Sequence, residues 1–241
     1  MIAYHFAAAA DNLTPADLDH ALSMGWFRMR QAIFTTTHLN LEECHRVHWL
    51  RYALTEIRDH RSHRQIRKKN SSYRVEIQLL EEVHAEQEEL YSRYRAGIDF
   101  GAGSIHESLF GDDLNQFNPY TTHCISIYDK HKLIAGGYFD TGEVSAASIL
   151  HFYDPAYKRN SPGKYLILVT VDFLRSQGFQ LYYPGYVIAG KRKMDYKLFL
   201  GKEAAKYFDP ATNSWKYFDD GILVPEVLSP EDRNKVIVAL S

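Results

Sequence analysis

Between Thr121 and Tyr186 the chain runs through "HCISIYD", "KHK", "LIAGGYFDT", "EVSAASILHFYDP", "AYKRNSPG", "KYLILVTVDFLRSQG" and "FQLYYPGY", an order that restricts the possible folds more than any other feature. The first, third and fourth segments are rich in β-branched and aromatic residues and are broken by turn residues, so they read as successive antiparallel strands. "AYKRNSPG" reads as a loop, and "KYLILVTVDFLRSQG" as a helix with a glycine stop at Gly178. "FQLYYPGY" then returns as a strand. Strands, a glycine-bearing loop, a helix and a returning strand define an α+β chain with a mixed sheet flanked by helices.

Elements in this order are those of a Gcn5-related N-acyltransferase core, and the expected organisation is such a catalytic domain over 73–241 behind a smaller N-terminal lobe over 1–72. In that lobe "TPADLDHALSMG" is a helix capped by Thr14, opened by Pro15 and ended by Gly25. Trp26 to Thr37 is a strand or hairpin, and Val47 to Ile57 a strand or a short helix. The basic segment 58–70 carries Arg58, Arg61, Arg64, Arg67, Lys68 and Lys69 against Asp59 alone. As a helix it sets Arg61, Arg64 and Lys68 on one face, either as a solvated charged surface or as a stripe for phosphates. "YRVEIQLLEE" reads as a strand, "EVHAEQEELYSRYRAG" as an amphipathic helix, and "AGIDFGAGSIHESLFGDD" as a loop.

A length of 241 residues with 45% hydrophobic content suffices for a sizeable core. The net charge of -2 demands no polyanionic partner by itself, and two cysteines make no disulfide framework. The N-terminal apolar run is too short for a signal peptide, and no stretch approaches a membrane span of roughly 20 apolar residues. The expectation is a cytoplasmic protein with no membrane partner.

The loop from Lys158 to Gly163 feeds a helix N-terminus, where backbone amides and the helix dipole can meet an anion. Ser161 and Gly163 would allow close approach, and Lys158 and Arg159 would reinforce the charge. An ordinary connection capped by Ser161 explains the same residues. Downstream, "YYPGYVIAGKRKMDYK" interleaves rings and cations around Pro184, which a ladder strand does not readily hold.

Read together, Tyr153-Asp154-Pro155, Ser161-Pro162-Gly163, Tyr183-Pro184-Gly185-Tyr186-Val187-Ile188 and Met194-Asp195-Tyr196-Lys197 resemble the C-terminal half of the aminoacyl-tRNA-protein transferases, the arginyl-transferases and their bacterial leucyl relatives. Weaker similarity runs back through "ELYSRY" and "SHRQIRKKN" to "GWFRMRQAIF". The resemblance implies movement of an amino acid from charged tRNA to an amine of a protein or peptide, without a cofactor. It implies catalytic roles for Asp154, Tyr186, Tyr196 and Asp195. Tyr153, Tyr183, Gly185, Lys193, Met194 and Lys197 would bind substrate, and Arg61, Arg64, Arg67, Lys68, Lys69, Lys158, Arg159, Ser161 and Gly163 would hold the tRNA and its phosphates. The chain departs from the family at an N-terminal cysteine cluster, of which only Cys44 stands here, and at an R-H dipeptide after Tyr94. No metal site is expected; His38, Cys44, His45 and His48 match no standard zinc spacing. Two other readings stay open: an acyl-CoA-dependent N-acyltransferase using the same loop for a pyrophosphate, and a catalytically silent RNA- or peptide-binding relative.

Overall fold

The computed structural model describes residues 5–8, 13–40, 44–98, 103–111 and 117–224, with the side chains of 5–8, 40, 44, 192 and 193 outside that description. The described strands are β1 (His5–Ala8), β2 (Phe27–Met29), β3 (Ala32–Thr35), β4 (His38–Asn40), β5 (Cys44–Ala53), β6 (Arg74–Leu79), β7 (Thr122–Asp129), β8 (Lys132–Thr141), β9 (Ser145–Tyr153), β10 (Leu181–Ile188), β11 (Ala205–Asp209) and β12 (Ser214–Tyr217). The helices are α1 (Pro15–Ser23), α2 (Arg61–Asn70), α3 (Ala85–Arg95), α4 (Ile105–Phe110) and α5 (Pro162–Ser176).

Local chemistry explains where the helices begin. Thr14 and Asp17 cap each other's backbone at the start of α1, Pro15 fits the first turn, and Leu18 and Leu22 give the helix its buried face. Ser104 accepts the Glu107 amide to start α4, a short helix in the segment whose glycines suggested a loop throughout. In α5, Leu166, Ile167, Val169, Val171 and Leu174 bury a broad apolar face. Each such side chain contributes on the order of 2 kcal/mol.

β1, β3 and β2 form a small antiparallel sheet. The main sheet runs β12-β11-β5-β10-β9-β8-β7-β6, with β4 pairing at the start of β5. All its pairs are antiparallel except β9 with β10, so the expected α+β mixed sheet flanked by helices is present. α2 and α5 share the larger core with residues from β5, β7 and β8, while α3 and α4 pack with Tyr138 and Phe152. The boundary expected at 72/73 is corrected by β5, which lies between β10 and β11 and makes the sheet continuous across it. The reason is the apolar alternation of Val47, Trp49 and Leu50, buried on both faces of the strand.

α2 is tied down by its own charges. Arg67 makes two hydrogen bonds to the Asp172 carboxylate at 2.9 and 2.8 Å and one to Asp59 at 2.7 Å, and Arg64 donates to the Asp59 carbonyl at 2.7 Å. Two of the expected phosphate contacts therefore join α2 to α5 and to its own preceding turn. Arg61, Lys68 and Lys69 are exposed and form no ion pair among the described residues.

Candidate active site

β9 and β10 pair over three residues only, Leu181 with Ser145, Tyr182 with Ala146 and Tyr183 with Ala147. Beyond them β10 follows β5 from Gly185 onward, and β9 stays with β8 as far as Tyr153. Pro184 lies at the parting, where it has no N-H to give a ladder, and the register against β5 shifts between Tyr182 and Gly185. The sheet opens here as a wedge. At its closed end the hydroxyls of Ser148 and Tyr182 are 2.7 Å apart.

The turn of residues 192–200 covers β10. Tyr52 of β5 donates to the Lys197 carbonyl at 3.1 Å, and Lys197 Nζ donates to the Tyr186 carbonyl at 2.9 Å. The same ammonium lies 4.6 Å from the centre of the Tyr186 ring. Burial brings Lys197 down to about 8 from an ordinary lysine value of 10.5. His151 of β9 lies against Gly137, whose missing side chain makes the room. Burial, and then the Lys197 charge, lower its imidazole to about 4, so it is neutral near pH 7; its Nε2 is buried without a hydrogen bond.

Tyrosines line the approach. The rings of Tyr94 and Tyr153 are 5.0 Å apart, and the Tyr153 ring lies 3.6 Å from where a side chain on Gly163 would begin. Burial first, then neighbours Tyr94, Tyr182, Tyr186 and Tyr153, push the Tyr196 phenol upward. Burial likewise pushes Tyr94 to about 12. The Tyr94 and Tyr196 phenols therefore keep their protons at neutral pH and are able to donate hydrogen bonds.

Tyr153 lies beside Gly163, Gly185 and Tyr186 lie beside Lys197, and Tyr196 lies close to Tyr153 and Tyr186. Tyr183 is fully buried, edge-on to Phe27 and Trp215, and is a core residue. Asp154 caps the turn of residues 155–160: its Oδ1 accepts the Ala156 amide at 2.9 Å and its Oδ2 meets Lys132 Nζ at 2.8 Å. Despite burial, those contacts hold the carboxyl below its usual range, which suits a fixed cap and removes it from proton transfer. Asp195 and Met194 are half-buried on the 192–200 turn, and the Lys193 side chain lies outside the described residues. Lys158 and Arg159 are exposed on the 155–160 turn.

Ser161 has a left-handed backbone (φ 56°) and no side-chain cap, while its carbonyl already accepts the amides of Lys164 and Tyr165 at 3.1 and 3.0 Å. The anion site expected at this helix start narrows to the Gly163 amide and the Ser161 hydroxyl. Among the described residues no cluster of three metal-ligating side chains occurs, and the Cys44 side chain lies outside them.

Sequence reasoning missed His151, Ser148 and Tyr182. A lone histidine or serine in a strand carries no mark of its environment; the parting of β9 from β10, which gives them one, was signalled only by Pro184.

Gly185 is the most sensitive backbone position. Its φ is +97°, and a Cβ there would stand 3.1 Å from Lys197 Nζ. Gly185→Ala is expected to cost about 1–3 kcal/mol and to displace the ammonium. Thermal unfolding and the Lys197 titration by NMR check both effects.

A sheet split beside a helix start, with a lysine lowered to about 8 by burial and phenols raised by theirs, offers the kinds of groups that a group-transfer reaction uses. The profile described as "Arginine-tRNA-protein transferase, C terminus" matches residues 86–204. A protein named aspartate/glutamate leucyltransferase from Paracoccus denitrificans is 27% identical over 198 residues, covering 75% of this chain and 68% of its own. One of the same name from Shewanella oneidensis is 38% identical over 73 residues, covering 30% of this chain and 31% of its own. Over residues 86–204 the chain is thus similar to the C-terminal part of the arginine-tRNA-protein transferases, and over a longer stretch to the leucyltransferases. It is also similar to the solved C-terminal domain (DUF2156) of a lysylphosphatidylglycerol synthetase candidate from Agrobacterium fabrum, with TM-score 0.46, 14% identity, and 66% and 53% of the two chains covered.

Proposed function

We propose that this chain, built on a Gcn5-related N-acyltransferase-like core, transfers leucine from charged tRNA to the α-amine of a polypeptide beginning with an acidic residue, without a cofactor. The observation that carries the reading is the wedge between β9 and β10 with Lys197 inside it. An aminoacyl ester is already activated, so the protein must place the amine against the ester carbonyl, manage one proton and stabilise the oxyanion. Lys197, titrating at about 8, takes the proton lost by the attacking amine and returns it to the departing ribose oxygen. The Tyr196 phenol donates to the carbonyl oxygen as it gains charge, and Tyr153 with Tyr94 supplies rings for the terminal adenine.

What surrounds the wedge supports leucine as the amino acid. Its walls are rings, and Asp154 is already paired with Lys132. An apolar donor side chain fits such walls. The relatives' names support an acidic acceptor. A half-buried Asp195 without a hydrogen bond or ion pair among the described residues favours arginine as the second reading.

Incubation with tRNA charged with labelled leucine or arginine, and with peptides beginning in Asp, Glu or Ala, tests both. Label should pass from leucyl-tRNA to the Asp and Glu peptides. Transfer from arginyl-tRNA selects the second reading, and label moving only from acetyl-CoA overturns both.

A further inference from the structure

Beside the active-site turn lies a groove of about 690 Å³, lined by Ser62, Gln65, Ile66, Lys68 and Lys69 of α2, Lys164 of α5, and Phe199. Its size falls within the roughly 300–1,000 Å³ of small-ligand sites. Its charge is one-sided: three lysines and no carboxylate line it, and none of the three forms an ion pair among the described residues.

The floor is apolar and held in place. Lys164 Nζ lies 4.9 Å from the centre of the Phe199 ring, and buried His63 meets the Phe199 carbonyl at 2.8 Å through Nε2. The His63 ring stands 4.6 Å from the Phe199 ring, which fixes the aromatic surface between α2 and the 192–200 turn. Two chain connections join groove to wedge. Phe199 follows Lys197 by two residues, and Lys164 adjoins Gly163, which touches Tyr153.

We propose that this groove seats the unpaired nucleotides just upstream of the aminoacylated adenosine, with Phe199 stacking on a base and Lys68, Lys69 and Lys164 meeting the phosphates. The inference rests on the aminoacyl-tRNA reading and sharpens it: α2 recognises the single-stranded end and not the paired stem. Its chemistry is that of single-strand sites generally, where a ring offers a sequence-tolerant surface and cations follow the backbone. The two arginines that would have extended the contact along a stem, Arg64 and Arg67, are engaged with the residue 59 carbonyl and with Asp59 and Asp172.

The test uses the full chain and a short uncharged RNA ending in CCA, followed by fluorescence anisotropy at several salt concentrations. A blunt duplex and an abasic strand of equal charge serve as comparison probes. Lys68→Glu, Lys69→Glu and Lys164→Glu together should weaken binding of both single strands at least about tenfold. They should also flatten the slope of log affinity against log salt by about 0.7 for each phosphate no longer neutralised. Phe199→Leu should weaken the base-bearing strand roughly tenfold and leave the abasic strand unchanged. Lys130→Glu, on the β7–β8 hairpin, is the charge control for each of the three lysine changes made singly and should bind as wild type.

Duplex binding as tight as single-strand binding, or lysine variants indistinguishable from the control, overturns the groove even if leucyl transfer proceeds. Binding of the CCA strand through these residues by a protein that transfers nothing supports the groove and overturns the aminoacyl reading.

Discussion

Replacing Lys197 by Met is expected to lower aminoacyl transfer by at least about 100-fold at pH 7.5, within the range that a positioned acid-base group contributes. Lys197→Arg should not restore it, because a guanidinium stays charged throughout the working range. With an acceptor amine that titrates well below pH 7, the wild-type rate should climb as pH passes through about 8, and the variant should lose that rise. Stability should move the other way. The folded pKa lies below the unfolded value of 10.5, so the buried ammonium destabilises the fold fully below about pH 8, and the penalty fades as pH rises toward 10.5. Lys197→Met is therefore expected to unfold at a higher temperature than wild type at pH 7 while being nearly inactive. Retention of activity within a factor of three, at any pH, would remove Lys197 from the chemistry.

The largest stability loss is expected at the buried ion pair between the β2–β3 hairpin and the main sheet. Arg28 and Asp140 are 2.9 Å apart, with their side chains 3% and 0% exposed. Arg28 also donates to Thr122 Oγ1 at 3.0 Å and to the carbonyls of Arg30 and Leu109 at 2.6 and 2.7 Å, and its guanidinium lies 4.3 Å from the Tyr120 ring centre. Thr122 donates to the same Asp140 oxygen at 2.6 Å. Arg28→Met strands a carboxylate that burial already pushes upward, together with two carbonyls, and should cost about 3–5 kcal/mol. Adding Asp140→Leu should recover much of that, since an apolar pair of similar volume leaves no charge to desolvate. Chemical denaturation of both variants decides the matter; a loss below about 1 kcal/mol in the single variant would show that the pair is dispensable.

What the sequence disclosed, and what it withheld, divides along contact range. The β7–β8–β9–α5–β10 order was legible because each element carries its own period and punctuation, and α1 announced itself through Thr14, Pro15 and Gly25. α4 was hidden because a six-residue helix between glycines has too little pattern to register. The strand "AKYFD" and its partner "SWKY" went unread, and their pairing with each other and with β5 completes one end of the sheet. In the candidate site, Tyr186, Tyr196 and Lys197 stand out in the sequence because rings and cations crowd around a proline. The capping contacts of Asp154 were not legible, because its partner, Lys132, lies on the neighbouring strand, where no local spacing reveals it. The carboxylate that holds Arg67 was hidden for the same reason: Asp172 lies 105 positions away.

The place of β5 bears on how the molecule is made. Residues 44–53 pair with partners at 181–188 and 205–207, which the ribosome delivers more than a hundred residues later. Until then the strand emerges with its central ladder unmet, so folding must close a long loop late in synthesis, the situation in which sheet proteins are slow and prone to aggregate. A truncation that stops before β10 should accordingly yield a chain with an unsatisfied strand at its heart rather than a working N-terminal piece.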